Sequence, residues 1–120
     1  MKDQITKADL AQFTGTEVWY RHALRRNILY TEGMQYVAEK AGAYWLLDEI
    51  VFNQIQPRIA SEKFQVWTLS VDLEKSTAVL ACDNGNGKIV YKKVISYTDF
   101  PLDEIKIYFT NSVILLTSEY

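Results

Sequence analysis

Few side chains in this sequence have the types that do covalent chemistry near neutral pH. There is one histidine, His22, and one cysteine, Cys82. They lie in different halves of the chain, so no cysteine–histidine pair can be read from spacing. One of each also excludes the commonest zinc sets and any internal disulfide. Cys82 ends an apolar run, where a free cysteine behaves as a small buried hydrophobe. His22 has the type of a general base or a pH-sensitive contact, but a hydrogen-bonded structural role is the commoner fate of a lone histidine.

The carboxylates are next. Asp48 has Tyr44, Trp45 and Phe52 around it at helical spacing. Removed from water, such a carboxylate holds a proton that it can donate. Its simpler use is to accept a hydrogen bond from a neighbouring amide or hydroxyl. Asp99, Asp103 and Glu104 surround Phe100-Pro101, a pattern of turn and capping chemistry rather than of metal binding. Asp83 precedes Asn84-Gly-Asn-Gly87 without the alternating oxygens and closing glutamate of a calcium loop, so it reads as part of a turn. Gly85 and Gly87 precede a strand pattern rather than a helix, which removes the phosphate-loop reading.

Arg21, Arg25 and Arg26 stand close to Trp19, Tyr20 and Tyr30, a mixture that suits phosphate contact and base stacking. Against nucleic acid stands the charge balance: 13 Lys and Arg against 15 Asp and Glu leave −2. Eight tyrosines, five phenylalanines and three tryptophans are more than one small core needs. Tyr91 and Tyr97 fall on one side of a strand pattern, and Tyr108 opposes the Ile105 stripe. Some of these rings belong on a surface or at an interface, where Tyr and Trp concentrate binding energy.

These residues need elements to hold them. Thr6 and Asp9 form a capping-box pattern, with Ile5 and Leu10 as a hydrophobic staple, so a short helix starts here and ends by Gly15. Composition over residues 17–30 favours two short extended segments around Arg25-Arg26-Asn27, and the alternative, a helix, would put Trp19, His22, Ala23 and Arg26 on one face. Met34, Val37, Ala38 and Ala41 recur on one face of a helix that Gly42 ends. Ala43 to Ile55 is apolar round most of its circumference and reads as a central, buried helix stopping before Pro57. Leu47, Ile50, Val51 and Gln54 form one stripe of it; Trp45, Asp48 and Phe52 form another.

From residue 63 the period becomes two. Gln65, Trp67, Leu69 and Val71 share a side, and Thr77–Cys82 is a second run. The Asn-Gly pairs mark a hairpin. Lys88–Tyr97 returns with Ile89, Tyr91, Ile95 and Tyr97 on one side. Ile105, Ile107 and Phe109 alternate, and Asn111-Ser112 turns into Val113–Leu116. The expectation is a single α+β domain over residues 1–120: an antiparallel sheet of four to five strands with the N-terminal helices on one face. No apolar run reaches the length of a membrane helix and no signal-peptide pattern opens the chain, so a cytoplasmic location is expected.

Several of these strings act together as a signature: residues 41–48 (AGAYWLLD), Gln65-Val-Trp67, residues 83–87, residues 97–105 (YTDFPLDEI), the closing Ser118-Glu-Tyr120 and, earlier, residues 10–16. In combination they resemble a family of small bacterial proteins of unknown function, over nearly the whole chain. The resemblance implies one domain and a distribution among plasmids, prophages and phages; it carries no catalytic residues.

The sequence favours a small non-catalytic binding protein, a mobile-element accessory or anti-defence protein touching another protein. Its binding residues would come from Trp19, Tyr20, Arg21, His22, Arg25, Arg26, Asp48, Tyr91, Tyr97 and Tyr108. No catalytic residue, metal or cofactor is assigned, and a homodimer through edge strands is a second form of contact. One alternative is an acid–base hydrolase or a ligand-binding protein around Asp48 and tyrosines, with His22 as the other candidate acid–base group. Another is a weak nucleic-acid binder using Arg21, Arg25 and Arg26.

Overall fold

Thr6 opens α1 (Lys7–Ala11) as the capping pattern predicts. Its Oγ1 accepts the Asp9 amide at 3.1 Å, and Asp9 Oδ2 accepts the Thr6 amide at 2.9 Å. Two amides that a helix start leaves bare are thereby satisfied. Ile5 is buried and Leu10 packs on the core, which supports the staple. The computed structural model describes residues 5–15 and 18–120. Thr16 and Glu17, which belong to the signature strings and the 17–30 segment, lie outside it.

The two extended segments are β1 (Trp19–Arg21) and β2 (Leu29–Thr31), an antiparallel hairpin. Thr31 then caps α2 (Glu32–Lys40) by accepting the Met34 amide on Oγ1. Met34, Val37, Ala38 and Ala41 are all buried, and Gly42 follows in the left-handed region at φ 61°. Next comes α3 (Tyr44–Phe52), extended by a tight turn at Asn53–Ile55 and then α4 (Pro57–Ala60). Pro57 sits in the first turn of α4, where its missing N–H costs nothing. Leu47, Ile50, Val51 and Gln54 are buried as expected. The expectation that this helix is buried on most sides fails, since Tyr44 and Phe52 are exposed. The helix lies on a sheet that covers one side of it only.

The remaining strands are β3 (Phe64–Asp72), β4 (Thr77–Asp83), β5 (Ile89–Ile95), β6 (Glu104–Thr110) and β7 (Val113–Leu116). They form one seven-stranded sheet in the order β1-β2-β7-β6-β3-β4-β5. This corrects the expected four to five antiparallel strands: β2 and β7 pair in parallel, with Tyr30 beside Ile114. Short loops enforce antiparallel pairing only between consecutive strands. β2 and β7 are separated by most of the chain, which supplies the long connection a parallel pair requires.

The core contains one parity of each central strand, namely Trp67 and Leu69, Ala78, Leu80 and Cys82, Ile105 and Ile107, and Ile114 and Leu116. The helices supply the facing side chains. The opposite parity, including Val66, Thr68, Val79 and Ala81, contributes nothing to that core. A register shift at Cys82/Asp83 keeps Tyr91 opposite Cys82 but moves Ile89 opposite Asp83. Ile89 therefore leaves the side it was expected to share with Tyr91, and Tyr97 lies beyond the end of the strand.

Two buried polar clusters brace the frame. Gln54 and Gln65 exchange amide hydrogen bonds at 2.8 and 2.9 Å, and Trp67 Nε1 donates to Gln65 Oε1 at 2.9 Å. Gln65 also donates to the Ile59 carbonyl, so β3 holds the segment after α3. At the other end, the Glu119 carboxylate accepts the Thr31 hydroxyl at 2.6 Å, the Leu116 amide at 3.0 Å and the Gly33 amide at 3.2 Å. An anion at the start of α2 complements the helix dipole and bare amides. A Cβ at Gly33 would meet Glu119 Oε1 at 2.5 Å, so any side chain here must displace the carboxylate. Ser118 Oγ donates to the Leu10 carbonyl, and the Tyr120 ring meets Phe64 and Tyr108 edge-on. Each residue of the closing Ser-Glu-Tyr string thus holds a different element.

Candidate functional site

The loop joining β1 to β2 is organised around His22. Its Nδ1 accepts two backbone amides, from Leu24 at 3.2 Å and Arg25 at 3.0 Å. A nitrogen that accepts carries no proton, so the neutral ring is protonated on Nε2. Nε2 donates to Asp48 Oδ1 at 2.8 Å, and the ring lies edge-on to Phe52 at 5.7 Å. The histidine is 4% exposed. Its own amide donates to the Ile28 carbonyl and the Ile28 amide to the Arg25 carbonyl, which closes the tip.

The two residues singled out for acid–base work are therefore in contact, but as a bracket. With Nδ1 filled by two amides and Nε2 by Asp48, the ring presents neither nitrogen to a substrate. The Asp48 side chain keeps 48% of its surface in water, so it does not sit in a closed aromatic pocket. Burial raises the pKa values of the nearby phenols Tyr30 and Tyr44, with the Tyr20 hydroxyl adding to the first and a hydrogen bond to Glu39 adding to the second. They remain neutral hydroxyls at physiological pH.

What this bracket displays is apolar and basic. Leu24, at the tip, is 74% exposed; Trp19 and Tyr20 on β1 are exposed as well. Tyr20 stacks on Tyr30 at 5.5 Å and shares its side of the hairpin, while Trp19 and Arg21 occupy the other side. Tyr44, Asp48 and Phe52 follow one another at helical spacing along α3, beside the hairpin. Arg21 reaches the Arg26 carbonyl through Nη1, so the loop is tied across its base. Trp19, Tyr20, Arg21, His22, Arg25 and Arg26 thus all lie on the hairpin, on both of its sides, and Asp48 is the α3 residue bonded to it.

The other three expected binding residues do not. Tyr91 faces α3, donating to Glu49 Oε2 at 3.0 Å and packing on Trp67 at 5.6 Å. Tyr97 lines a separate cleft. Tyr108 lies on the side of the sheet away from the core, against Phe64 at 5.0 Å. Glu49 was missed in the sequence. Burial pushes its carboxyl up, but hydrogen bonds from Lys93, Tyr91 and Asn53, with the Lys93 charge, carry the net shift below the ordinary glutamate value. Lys93 Nζ lies 3.0 Å from Glu49 Oε1. Position 49 follows the Asp48 stripe on the helix, and β5 alone shows no sign that its lysine reaches across.

Asp83 and Asn84 accept the amides of Gly85 and Asn86 within the hairpin turn, and Asp103 pairs with Lys7 at 2.8 Å. Among the described residues no group of three or more His, Cys, Asp or Glu is placed to hold a metal ion. Cys82 is buried, and desolvation pushes its thiol up to about 12, far from nucleophilic use. No described helix is long and apolar enough to cross a membrane.

A family model described as a family of unknown function, DUF6876, matches residues 4–120. The chain belongs to this family. The matched span includes the residues of all the signature strings. No curated protein and no solved structure matches the chain.

Proposed function

We propose that this DUF6876 member is a non-catalytic binding protein whose working surface is the β1–β2 hairpin with the adjoining side of α3. One observation carries the reading. Among the described residues, Val18, Trp19, Tyr20, Leu24, Tyr44 and Phe52 make up half of the exposed large hydrophobic side chains, and all six lie on the hairpin and its flank or on the α3 stripe beside it, with Trp19 on the hairpin's opposite side from Tyr20. Apolar exposure concentrated in one place marks an interaction surface, whereas scattered exposure does not. Trp, Tyr and Arg are also the residue types that dominate contact energetics.

Arg25 and Arg26 make the tip basic, while Asp48 and Glu39, the latter bonded to the Tyr44 hydroxyl, lie along the α3 side, so the matching face of the partner is apolar with an acidic patch opposite the tip. A mobile-element accessory or anti-defence role fits this reading and rests on the family resemblance. The acid–base alternative is disfavoured because both His22 nitrogens are occupied. The nucleic-acid alternative shares the arginines and separates by its salt dependence.

The test uses the tagged protein as bait in extract from its native host, with proteins quantified by mass spectrometry. Leu24→Ser with Arg26→Glu should abolish capture of a specific protein, because both side chains are exposed and neither supports the core. Val94→Ser, on the far edge strand, should leave capture intact. Equal capture by all three forms would overturn the assignment, as would recovery of nucleic acid alone.

A further inference from the structure

A cleft of about 550 Å³ opens between α3 and the chain leaving β5, lined by Trp45 and Glu49 and by none of the hairpin residues. That volume lies within the range of small-molecule sites. Its walls are preformed. The Thr98 amide donates to the Ser76 carbonyl at 2.8 Å, the Thr98 hydroxyl accepts the Phe100 amide at 3.2 Å, and Phe100 is buried in the core. The segment carrying Ser96, Tyr97 and Asp99 is thereby fixed at one end.

Its floor is fixed as well. Glu49 Oε1 takes Lys93 Nζ at 3.0 Å, while Oε2 takes the Tyr91 hydroxyl at 3.0 Å and Asn53 Nδ2 at 3.2 Å. Three side chains, two from β5 and one from the turn after α3, hold this carboxylate in place. Lys93 commits one N–H to Glu49 and has two more donors on the same ammonium.

Glu49 and Lys93 offset each other's charge, so the pair offers little net attraction to an ion of either sign and acts mainly as adjacent hydrogen-bonding groups. Hydroxyl groups both donate and accept, and a carboxylate 3.0 Å from an ammonium offers the complement of each side by side. Trp45, half-buried, and Tyr97, exposed, add ring surface on which the apolar face of a sugar ring can lie.

We propose that this cleft binds a neutral polyhydroxylated ring, a mono- or disaccharide unit, with its hydroxyls on the Glu49–Lys93 pair and its apolar face against Trp45 and Tyr97. This site is separate from the hairpin, and its occupancy does not depend on any protein partner.

The experiment is a titration of the full-length, isotopically labelled protein followed by NMR, using glucose, galactose, mannose and N-acetylglucosamine as probes. Choline and acetate serve as charged comparisons. The expected result is a saturable shift of the Trp45 indole, Lys93 and Tyr97 signals with at least one sugar, with a Kd on the order of 1 mM. Tyr97→Ala and Lys93→Met should each weaken that binding tenfold or more while the melting temperature of Tyr97→Ala stays unchanged, because Tyr97 is 71% exposed. No saturable shift with any sugar would overturn the proposal. So would tighter binding of choline or acetate, or sugar binding that survives both substitutions.

Discussion

Asp48 Oδ1 accepts the Nε2 proton of His22 at 2.8 Å, while the opposite nitrogen of the same ring accepts the amides of Leu24 and Arg25. A line of hydrogen bonds therefore runs from the middle of α3 through one imidazole into the tip of the hairpin. The histidine substitutes for a backbone turn partner: it satisfies two amides that the tight tip would otherwise leave bare. In doing so it sets the positions of Leu24, Arg25 and Arg26.

Replacing His22 by Ala should therefore cost about 2–3 kcal/mol, combining a lost buried ring with two amides that lose their acceptor. Asp48→Asn keeps an oxygen facing Nε2 and should cost about 1 kcal/mol or less. Urea unfolding measures both, and hydrogen exchange at Leu24 and Arg25 should accelerate in His22→Ala specifically. Equal stability of His22→Ala and the parent would contradict the bracket.

Glu119 and Gly33 form a second coupled pair. Glu119→Ala should destabilise by about 3 kcal/mol, since three donors lose a buried charged acceptor. Gly33→Ala should also destabilise, because its methyl group collides with Oε1. In the Glu119→Ala background that collision is gone, so the second substitution should cost much less than it does alone. A double-mutant cycle by chemical denaturation reads the coupling; strictly additive losses would refute the contact.

The outline of the fold was legible in the sequence wherever a local rule decided it. The Thr6–Asp9 box, the Met34–Ala41 stripe, the Gly42 stop and the parity of β3 depend on residues within a few positions of each other, and they appear as expected. The parallel β2–β7 pair was not legible, because it joins segments more than eighty positions apart and no short-range pattern encodes such a partner. The site divides in the same way. His22 and Asp48 stood out by type, but their contact spans 26 positions. Glu119 was visible only as part of a closing string, since a buried carboxylate has no sequence signature until its donors are located.

The cysteine offers a separate check on the core. With its thiol pushed up to about 12 and its side chain buried, Cys82 should resist iodoacetamide at pH 8 in the native protein. Alkylation should become fast only in denaturant, in step with global unfolding. Mass spectrometry of timed aliquots follows it, and rapid labelling without denaturant would show that β4 is not packed as described.

Acid should act through Glu49. Its folded-state pKa is lowered, so its contribution to stability is complete above the unfolded value of about 4.3 and is lost as pH falls through the lower folded value. Glu49→Gln should therefore be less stable than the parent at pH 7, and the gap should narrow as the solution is acidified below pH 4.3 or so. Thermal melts across that range decide the point; a gap that stays constant would exclude Glu49 as an ionised acceptor for Lys93 and Tyr91.

The claim that the hairpin is the working surface is tested most directly by hydrogen–deuterium exchange on the protein with and without its captured partner. Slowed exchange should appear in residues 18–28 and along residues 44–52, with the far edge strand at residues 89–95 unchanged. Slowing confined to residues 89–95 or to β3 and β4, with the hairpin untouched, would contradict it.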